Sequence, residues 1–237
     1  MSILILVRHG QSTWNLEKKF TGWVDVDLTD RGRTEAEKAG LLIKQEKVKI
    51  QYYYSSLQLR ANNTLKIIQK VLGDEKKFFR VWQLNERHYG TFTGLNKVEM
   101  REKIGEKKIH EFRRSWDIKP EPLEKDNLYH PLNIETYKEL PRDLLPDTES
   151  LKDTYERVIK YFKEEIEKKL ASNNILISAH GNSIRALCKY LFKLDNNQIS
   201  ELEIPTGNPL LIKFSGNEKV LDAYYLDLDR AKDLLVF

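Results

Sequence analysis

The chain has 237 residues, 40% of them hydrophobic, enough for one large core and incompatible with a disulfide-stapled miniprotein or a disordered chain. Its 40 Lys and Arg stand against 36 Asp and Glu, so the net charge of +4 describes a mixed-sign surface that does not point to nucleic acid. The single cysteine, Cys188, permits no internal disulfide and no thiolate metal cluster, and no apolar run approaches the length of a membrane span. The expectation is a soluble cytoplasmic protein with neither a nucleic-acid nor a membrane partner.

In chain order, the apolar run at residues 3–7 reads as a fully buried strand. Residues 29–44 follow as a helix with capping chemistry at its start and small or apolar residues (Ala36, Ala39, Gly40, Ile43) at helical spacing. Residues 50–55 return as a strand, which completes a βαβ opening. Residues 57–72 read as a helix stopped by Gly73, with a short strand at 79–81 beyond it. Between Asn85 and Thr148 the pattern changes to two short helices, at 97–103 and 106–116, and then a stretch holding Pro120, Pro122, Pro131, Pro141 and Pro146. That stretch is too long for a plain connector, and loops of such length are usually functional lids or disordered. After Ser150 come a charged helix at 151–170, a buried strand at 175–179, a helix at 183–194, and strands at 210–214 and 223–226. The reading is an α/β chain with a parallel sheet and an insertion at 85–148.

Two histidines stand directly after buried strands, in Arg8-His9-Gly10 and His180-Gly181-Asn182. Either alone reads equally as a strand-end imidazole satisfied by backbone. Together they lie on the C-terminal edge of the sheet, where open α/β folds place their ligands. The cations near that edge are Arg8, Arg60 and, in the insertion, Arg87, Lys97, Arg113 and Arg114. Arginine forks match phosphate oxygens, so six such cations suit a ligand with more than one anionic group. Taken singly, Arg113 and Arg114 read as a solvated helix face.

No phosphate-cradling GxxxxGKS loop, no GxGxxG after a strand and no close His or Cys spacing is present, so nucleotide and metal mechanisms lose ground. A histidine nucleophile fits better. Neutral imidazole can take a phosphoryl group in line while arginines and a second imidazole stabilise its equatorial oxygens. Such chemistry needs a proton donor for the leaving oxygen. Glu86, at the opening of the insertion, is the best placed carboxylate; its alternative is a surface ion pair.

The runs RHGQSTWN (8–15), FTGW (20–23), LNERHYG (84–90), TGLNK (93–97), RRS (113–115), ESLKDT (149–154), AHGNSIRA (179–186) and IPTGNPL (204–210) together resemble the cofactor-dependent phosphoglycerate mutases of the histidine phosphatase superfamily. The resemblance spans nearly the whole chain. It implies one three-layer α/β/α domain over residues 1–237 with a mainly parallel central sheet and the 85–148 insertion covering the active site. It implies interconversion of 3-phosphoglycerate and 2-phosphoglycerate, in glycolysis and gluconeogenesis, through a phosphohistidine primed by 2,3-bisphosphoglycerate without a metal. By motif, His9 resembles the phosphoryl carrier, Glu86 the general acid and base, His180 the partner imidazole, and Arg8 and Arg60 the clamps. Asn15, Thr21, Gly22, Arg87, His88, Tyr89, Lys97, Arg113, Arg114, Gly181 and Asn182 resemble the remaining ligand contacts. A homodimer or homotetramer is implied in the same way.

Departures from the family pattern are Gln58 and Leu59 where a Leu-Lys pair is usual, and Asn63 where histidine is common. The sequence given reaches Phe237 soon after Tyr224-Tyr225-Leu226, where many members carry a longer small-residue and lysine-containing tail; its apolar end, Leu234 to Phe237, is expected to pack on the body and leave the stretch 119–146 as the cover over the site. Two rival readings are a histidine phosphatase that hydrolyses small phosphomonoesters and a non-catalytic phosphate-binding protein on the same fold. Against the second stands the joint presence of His9, Glu86, Arg60 and His180, since a binding module needs cations but neither nucleophile nor acid.

Overall fold

Apolar side chains on both faces of Ser2–Arg8 force this strand, β1, into the middle of a sheet covered on both sides. The computed structural model describes residues 1–215 and 219–231. In chain order β1 is followed by the short helix α1 (Thr13–Leu16), α2 (Asp30–Gln45), β2 (Tyr52–Ser55), α3 (Leu59–Leu72) and β3 (Phe79–Arg80). The insertion carries α4 (Lys97–Ile104) and α5 (Glu106–Arg114). Then come α6 (Leu151–Tyr161), α7 (Glu167–Leu170), β4 (Ile175–Ala179), α8 (Gly181–Leu191), α9 (Asn196–Glu201), β5 (Leu210–Phe214) and β6 (Val220–Tyr225).

Among the described residues six strands form one sheet in the order β3, β2, β4, β1, β5, β6. The first four run parallel; β5 and β6 close one edge antiparallel. The expectation of a mainly parallel sheet is therefore borne out. Along β1 the pleat sends Leu4 and Leu6 into a core with Val158, Phe162, Ile184 and Leu187, and Ile5 and Val7 into a second core with Ala39, Ile43, Leu65 and Ile68. Helices α6 and α8 thus cover one face and α2 and α3 the other, which is the three-layer arrangement. No helix among the described residues is long and apolar enough to cross a membrane.

The single helix expected at 151–170 is broken by a π turn at Phe162–Ile166. The cause is readable in the sequence: Val158, Phe162, Ile166 and Leu170 are all buried and repeat every four residues. At 3.6 residues per turn such a row drifts round the helix, and the wider π turn takes up the drift. Helix α9 and the short α1 were not expected, although each opens on a reciprocal cap, Asp195 with Gln198 and Ser12 with Asn15. Helix α8 begins two residues earlier than expected, at Gly181.

The proline-bearing stretch forms short 3-10 turns (Pro131–Asn133, Glu135–Tyr137, Arg142–Leu144) and packs beside the loop that follows α1. The Tyr137 hydroxyl donates to the Trp23 carbonyl, and the Thr136 hydroxyl donates to Asp25. The stretch buttresses this loop. The expected packing of residues 234–237 lies outside the described residues.

Candidate active site

Register decides which strand ends meet. β1 and β4 are adjacent and parallel with Arg8 opposite Ala179, so the residues that follow each strand, His9 and His180, emerge side by side. The His9 amide donates to the Ala179 carbonyl (3.0 Å), and the two imidazole centroids are 5.0 Å apart. Both rings are buried. The turn after His9 is tight because Gly10 meets α2 at Gly32: a Cβ on Gly10 would stand 2.1 Å from the Gly32 carbonyl oxygen, and one on Gly32 would stand 2.0 Å from that of Gln11. Neither position accepts a side chain without moving backbone.

The two imidazoles differ in their partners. His9 Nδ1 lies 2.7 Å from the Gly10 carbonyl, which only accepts, so Nδ1 carries the proton and Nε2 keeps its lone pair. His180 Nε2 lies 2.8 Å from the Ser56 hydroxyl, while its buried Nδ1 has no partner among the described residues. Burial, then Arg60 and Arg8, hold His9 well below the ordinary imidazole pKa. For His180 the causes are burial, then Arg60, His9 and Arg8. Both rings are neutral at pH 7.

In front of His9 lies a cleft of about 120 Å³. Of the residues expected at the site, thirteen line it: Arg8, His9, Asn15, Thr21, Gly22, Arg60, Glu86, Tyr89, Lys97, Arg113, Arg114, Gly181 and Asn182. His180, Arg87 and His88 stand behind the lining. Arg87 donates to the Phe112 carbonyl (2.6 Å) and stacks 4.6 Å over the Tyr89 ring, so it braces a lining residue. His88 is turned away: its Nδ1 accepts from the Gly90 amide, its ring faces His130, and burial followed by the His130 neighbour pushes its pKa down to about 3. The stretch 119–146 contributes no lining residue, which corrects the expectation that it forms the cover; the insertion reaches the cleft through Glu86, Tyr89, Lys97, Arg113 and Arg114.

Sequence reasoning missed Arg185, Glu203 and Ile204 in the lining and Ser56 behind it, and marked Gln58 as a departure without its role. Arg185 was findable, since it sits one helical turn after Asn182 and donates to its side-chain oxygen (2.9 Å). Gln58 is wholly buried. Its Nε2 donates to the Gly22 carbonyl (2.9 Å), its Oε1 accepts from the Glu86 amide (2.9 Å), and its own amide donates to Ser56 Oγ (3.1 Å). Leu59, where the family's lysine would stand, is exposed and outside the lining; Asn63 donates to Asp27 (2.7 Å), also outside it.

Charge in the cleft is unbalanced. Arg8, Arg60, Lys97, Arg113, Arg114 and Arg185 face two carboxylates, Glu86 and Glu203. The cations pay for this in proton affinity: Lys97 is pushed down to about 8 by burial, then Arg113 and Arg8, and Arg185 to about 9 by burial, then Arg114 and Arg87. The Nε atoms of Arg8 and Arg60 are buried without a partner among the described residues, although Arg8 Nη1 is anchored on the Ile204 carbonyl (2.7 Å) and Arg60 on the Gly22 and Val24 carbonyls (2.9 Å each). Glu86 Oε1 accepts from the Arg87 and Asn182 amides (2.8 and 3.1 Å), and Oε2 points toward Gly181 beside Arg8. Fixed cations with unused donors around a bare imidazole nitrogen form a site for a polyanion.

A family model for the histidine phosphatase superfamily, branch 1, matches residues 4–130 and 126–227. The chain belongs to the histidine phosphatase superfamily. Within it, the chain is 67% identical over 238 residues to a 2,3-bisphosphoglycerate-dependent phosphoglycerate mutase of Pelagibacter ubique (strain HTCC1062), with all of both chains covered. It is 46% identical to the protein of that name from Maricaulis maris (strain MCS10), over 99% of this chain and 98% of that one. Among solved structures, Bacillus stearothermophilus YhfR matches with a TM-score of 0.69 at 22% identity, covering 93% of this chain and 94% of that one, a likeness of fold. The resemblance carried by the eight runs, from RHGQSTWN to IPTGNPL, is thereby borne out.

Proposed function

We propose that the protein is a 2,3-bisphosphoglycerate-dependent phosphoglycerate mutase that interconverts 3-phosphoglycerate and 2-phosphoglycerate through a phosphohistidine at His9. The observation that carries this reading is the bare Nε2 of a neutral His9, its Nδ1 committed to Gly10, at the floor of a cleft rich in cations. Relatives of that name matched over the full chain length support it. The same donors fit a ligand with two phosphates: buried Nε atoms of Arg8 and Arg60 and Nδ1 of His180 have no partner among the described residues. When bound, 2,3-bisphosphoglycerate supplies the phosphoryl group that primes His9.

In this reading His9 Nε2 attacks phosphorus in line, and its low proton affinity keeps the lone pair available at neutral pH. Arg8, Arg60 and the Nδ1–H of His180 stabilise the equatorial oxygens, with the N-terminus of α8 adding its dipole. A hydroxyl of the bound monophosphoglycerate then attacks the phosphoryl group on His9 while Glu86 takes the hydroxyl proton. Transfer from the other position returns a phosphoryl group to His9, and Glu86 returns the proton to the oxygen left behind. Asn15, Thr21, Gly22, Tyr89, Lys97, Arg113, Arg114, Gly181 and Asn182 hold the rest of the ligand, with Arg87 and His88 supporting Tyr89 and its turn. Water must be kept from the phosphohistidine until a monophosphoglycerate hydroxyl takes its phosphoryl group, since hydrolysis there would make the enzyme a phosphatase.

The reading carries with it a cytoplasmic homodimer or homotetramer serving glycolysis and gluconeogenesis without a metal. Its test is a coupled assay of 3-phosphoglycerate conversion in EDTA, with and without 2,3-bisphosphoglycerate. Activity that depends on bisphosphoglycerate and is indifferent to the chelator is expected. Loss of activity in EDTA restored by manganese, or release of inorganic phosphate with no isomerisation, would contradict it.

A further inference from the structure

Among the described residues two carboxylates line the cleft, and of these Glu86 has work in the reaction. The other, Glu203, precedes the IPTGNPL run on the segment that joins α9 to β5, and its position is unusual. The backbone of this segment holds two arginines by alternate carbonyls: Leu202 accepts from Arg114 Nη1 (3.5 Å) and Ile204 from Arg8 Nη1 (2.7 Å). The side chain between them pairs with Arg114 Nη2. Arg8 and Arg185 also act electrostatically on this carboxylate, and together with Arg114 they hold it below the usual carboxylate range against the opposing effect of burial. The two members of the pair differ in exposure, 15% for the Arg114 side chain against 51% for that of Glu203, so the arginine is fixed and the carboxylate can swing into water.

We propose that Glu203 is an internal counter-anion, which occupies Arg114 in the free cleft and is displaced from it by the distal anionic group of the ligand. This rests on the reading of the cleft as a phosphoglycerate site. A ligand that carries a phosphate near His9 and a second anionic group farther out has to take Arg114 from Glu203. Inorganic phosphate, bound only at the His9 end, does not. Glu203 therefore weakens the binding of doubly anionic ligands selectively, which favours release of a bisphosphorylated species over its retention.

The test is calorimetric titration of wild-type, Glu203→Gln, Arg114→Ala and the double variant with 2,3-bisphosphoglycerate, 3-phosphoglycerate and inorganic phosphate. Glu203→Gln keeps the shape and removes the charge. It should tighten the two organic ligands by about fivefold, the upper end of what a partly exposed ion pair is worth, and leave phosphate within about twofold. In the Arg114→Ala background the tightening should disappear. Weaker binding of the organic ligands by Glu203→Gln would overturn the proposal in favour of a carboxylate that merely holds Arg114 in place. Equal tightening of all three ligands, or of none, would also overturn it. A wild-type chain that binds phosphate but neither phosphoglycerate would overturn the mutase reading and the proposal with it.

Discussion

Gln58 stands where the family usually has leucine, and replacing it with that leucine removes hydrogen bonds while nearly preserving volume. Gln58 is completely buried, and its side chain ties the Gly22 carbonyl to the Glu86 amide at 2.9 Å each. In Gln58→Leu the Gly22 carbonyl keeps Arg60 Nη2 at 2.9 Å, so it stays satisfied. The Glu86 amide loses its acceptor in a place closed to water. An orphaned buried donor costs about 1–3 kcal/mol, and at roughly 2–4 °C per kcal/mol for a chain of this size a middle value of about 2 kcal/mol lowers Tm by about 4–8 °C. The same loss frees the backbone that carries the Glu86 carboxylate, so kcat should fall by roughly tenfold with KM changed less than about twofold. Differential scanning calorimetry and steady-state kinetics on the purified variant read both effects. A Tm within about 1 °C of wild type together with unchanged kcat would show that the Glu86 amide does not depend on Gln58.

Acid should destabilise the fold through its buried neutral histidines. His88 binds its proton at about 3 in the folded chain against 6.5 ordinarily, so the stability it contributes is present above pH 6.5 and lost as pH falls. This one group removes about 2 kcal/mol by pH 5, readable as a lower urea midpoint at pH 5 than at pH 7, and equal midpoints would contradict it. Lys97, pushed down to about 8, loses its charge as pH rises through that value, so the affinity for 3-phosphoglycerate should be flat below and weaken above it. Lys97→Arg should move the break beyond the measured range; a break that stays in place assigns it to another group. Glu86→Gln should lower kcat by roughly 10²–10⁴-fold, whereas Arg113→Ala should mainly raise KM, and the opposite pattern would exchange the two roles.

The parts of the site that were legible in the sequence are those fixed by local chemistry. Arg8-His9-Gly10 and His180-Gly181-Asn182 each announce a strand end, and the parallel run of β-branched segments says that such ends share an edge. That β1 and β4 are neighbours depends on strand order, which the sequence pattern does not state. The resemblance to a known family filled that gap. Side chains arriving from sequence-remote elements carried no local signal: Glu203 precedes β5 by several residues and meets Arg114 at the end of α5 only after folding. Gln58 was visible as a departure, but what it bonds to was not. The proline-bearing stretch misled because composition marks an irregular segment without saying which side of the molecule it packs on. The π turn after α6 is the opposite case, since the four-residue spacing of Val158, Phe162, Ile166 and Leu170 was in plain view.

Every role assigned here passes through one nitrogen, Nε2 of His9, so the most direct measurement is of the bond it forms. Wild-type protein and a His9→Ala variant are incubated with labelled 2,3-bisphosphoglycerate in EDTA, and the labelled peptide is mapped. An acid-labile, base-stable phosphoryl group is expected on the peptide that contains His9 in the wild type, with none in the variant, and loss of isomerisation along with it. Label retained by His9→Ala, or found on another residue while isomerisation continues, would rule out His9 as the phosphoryl carrier.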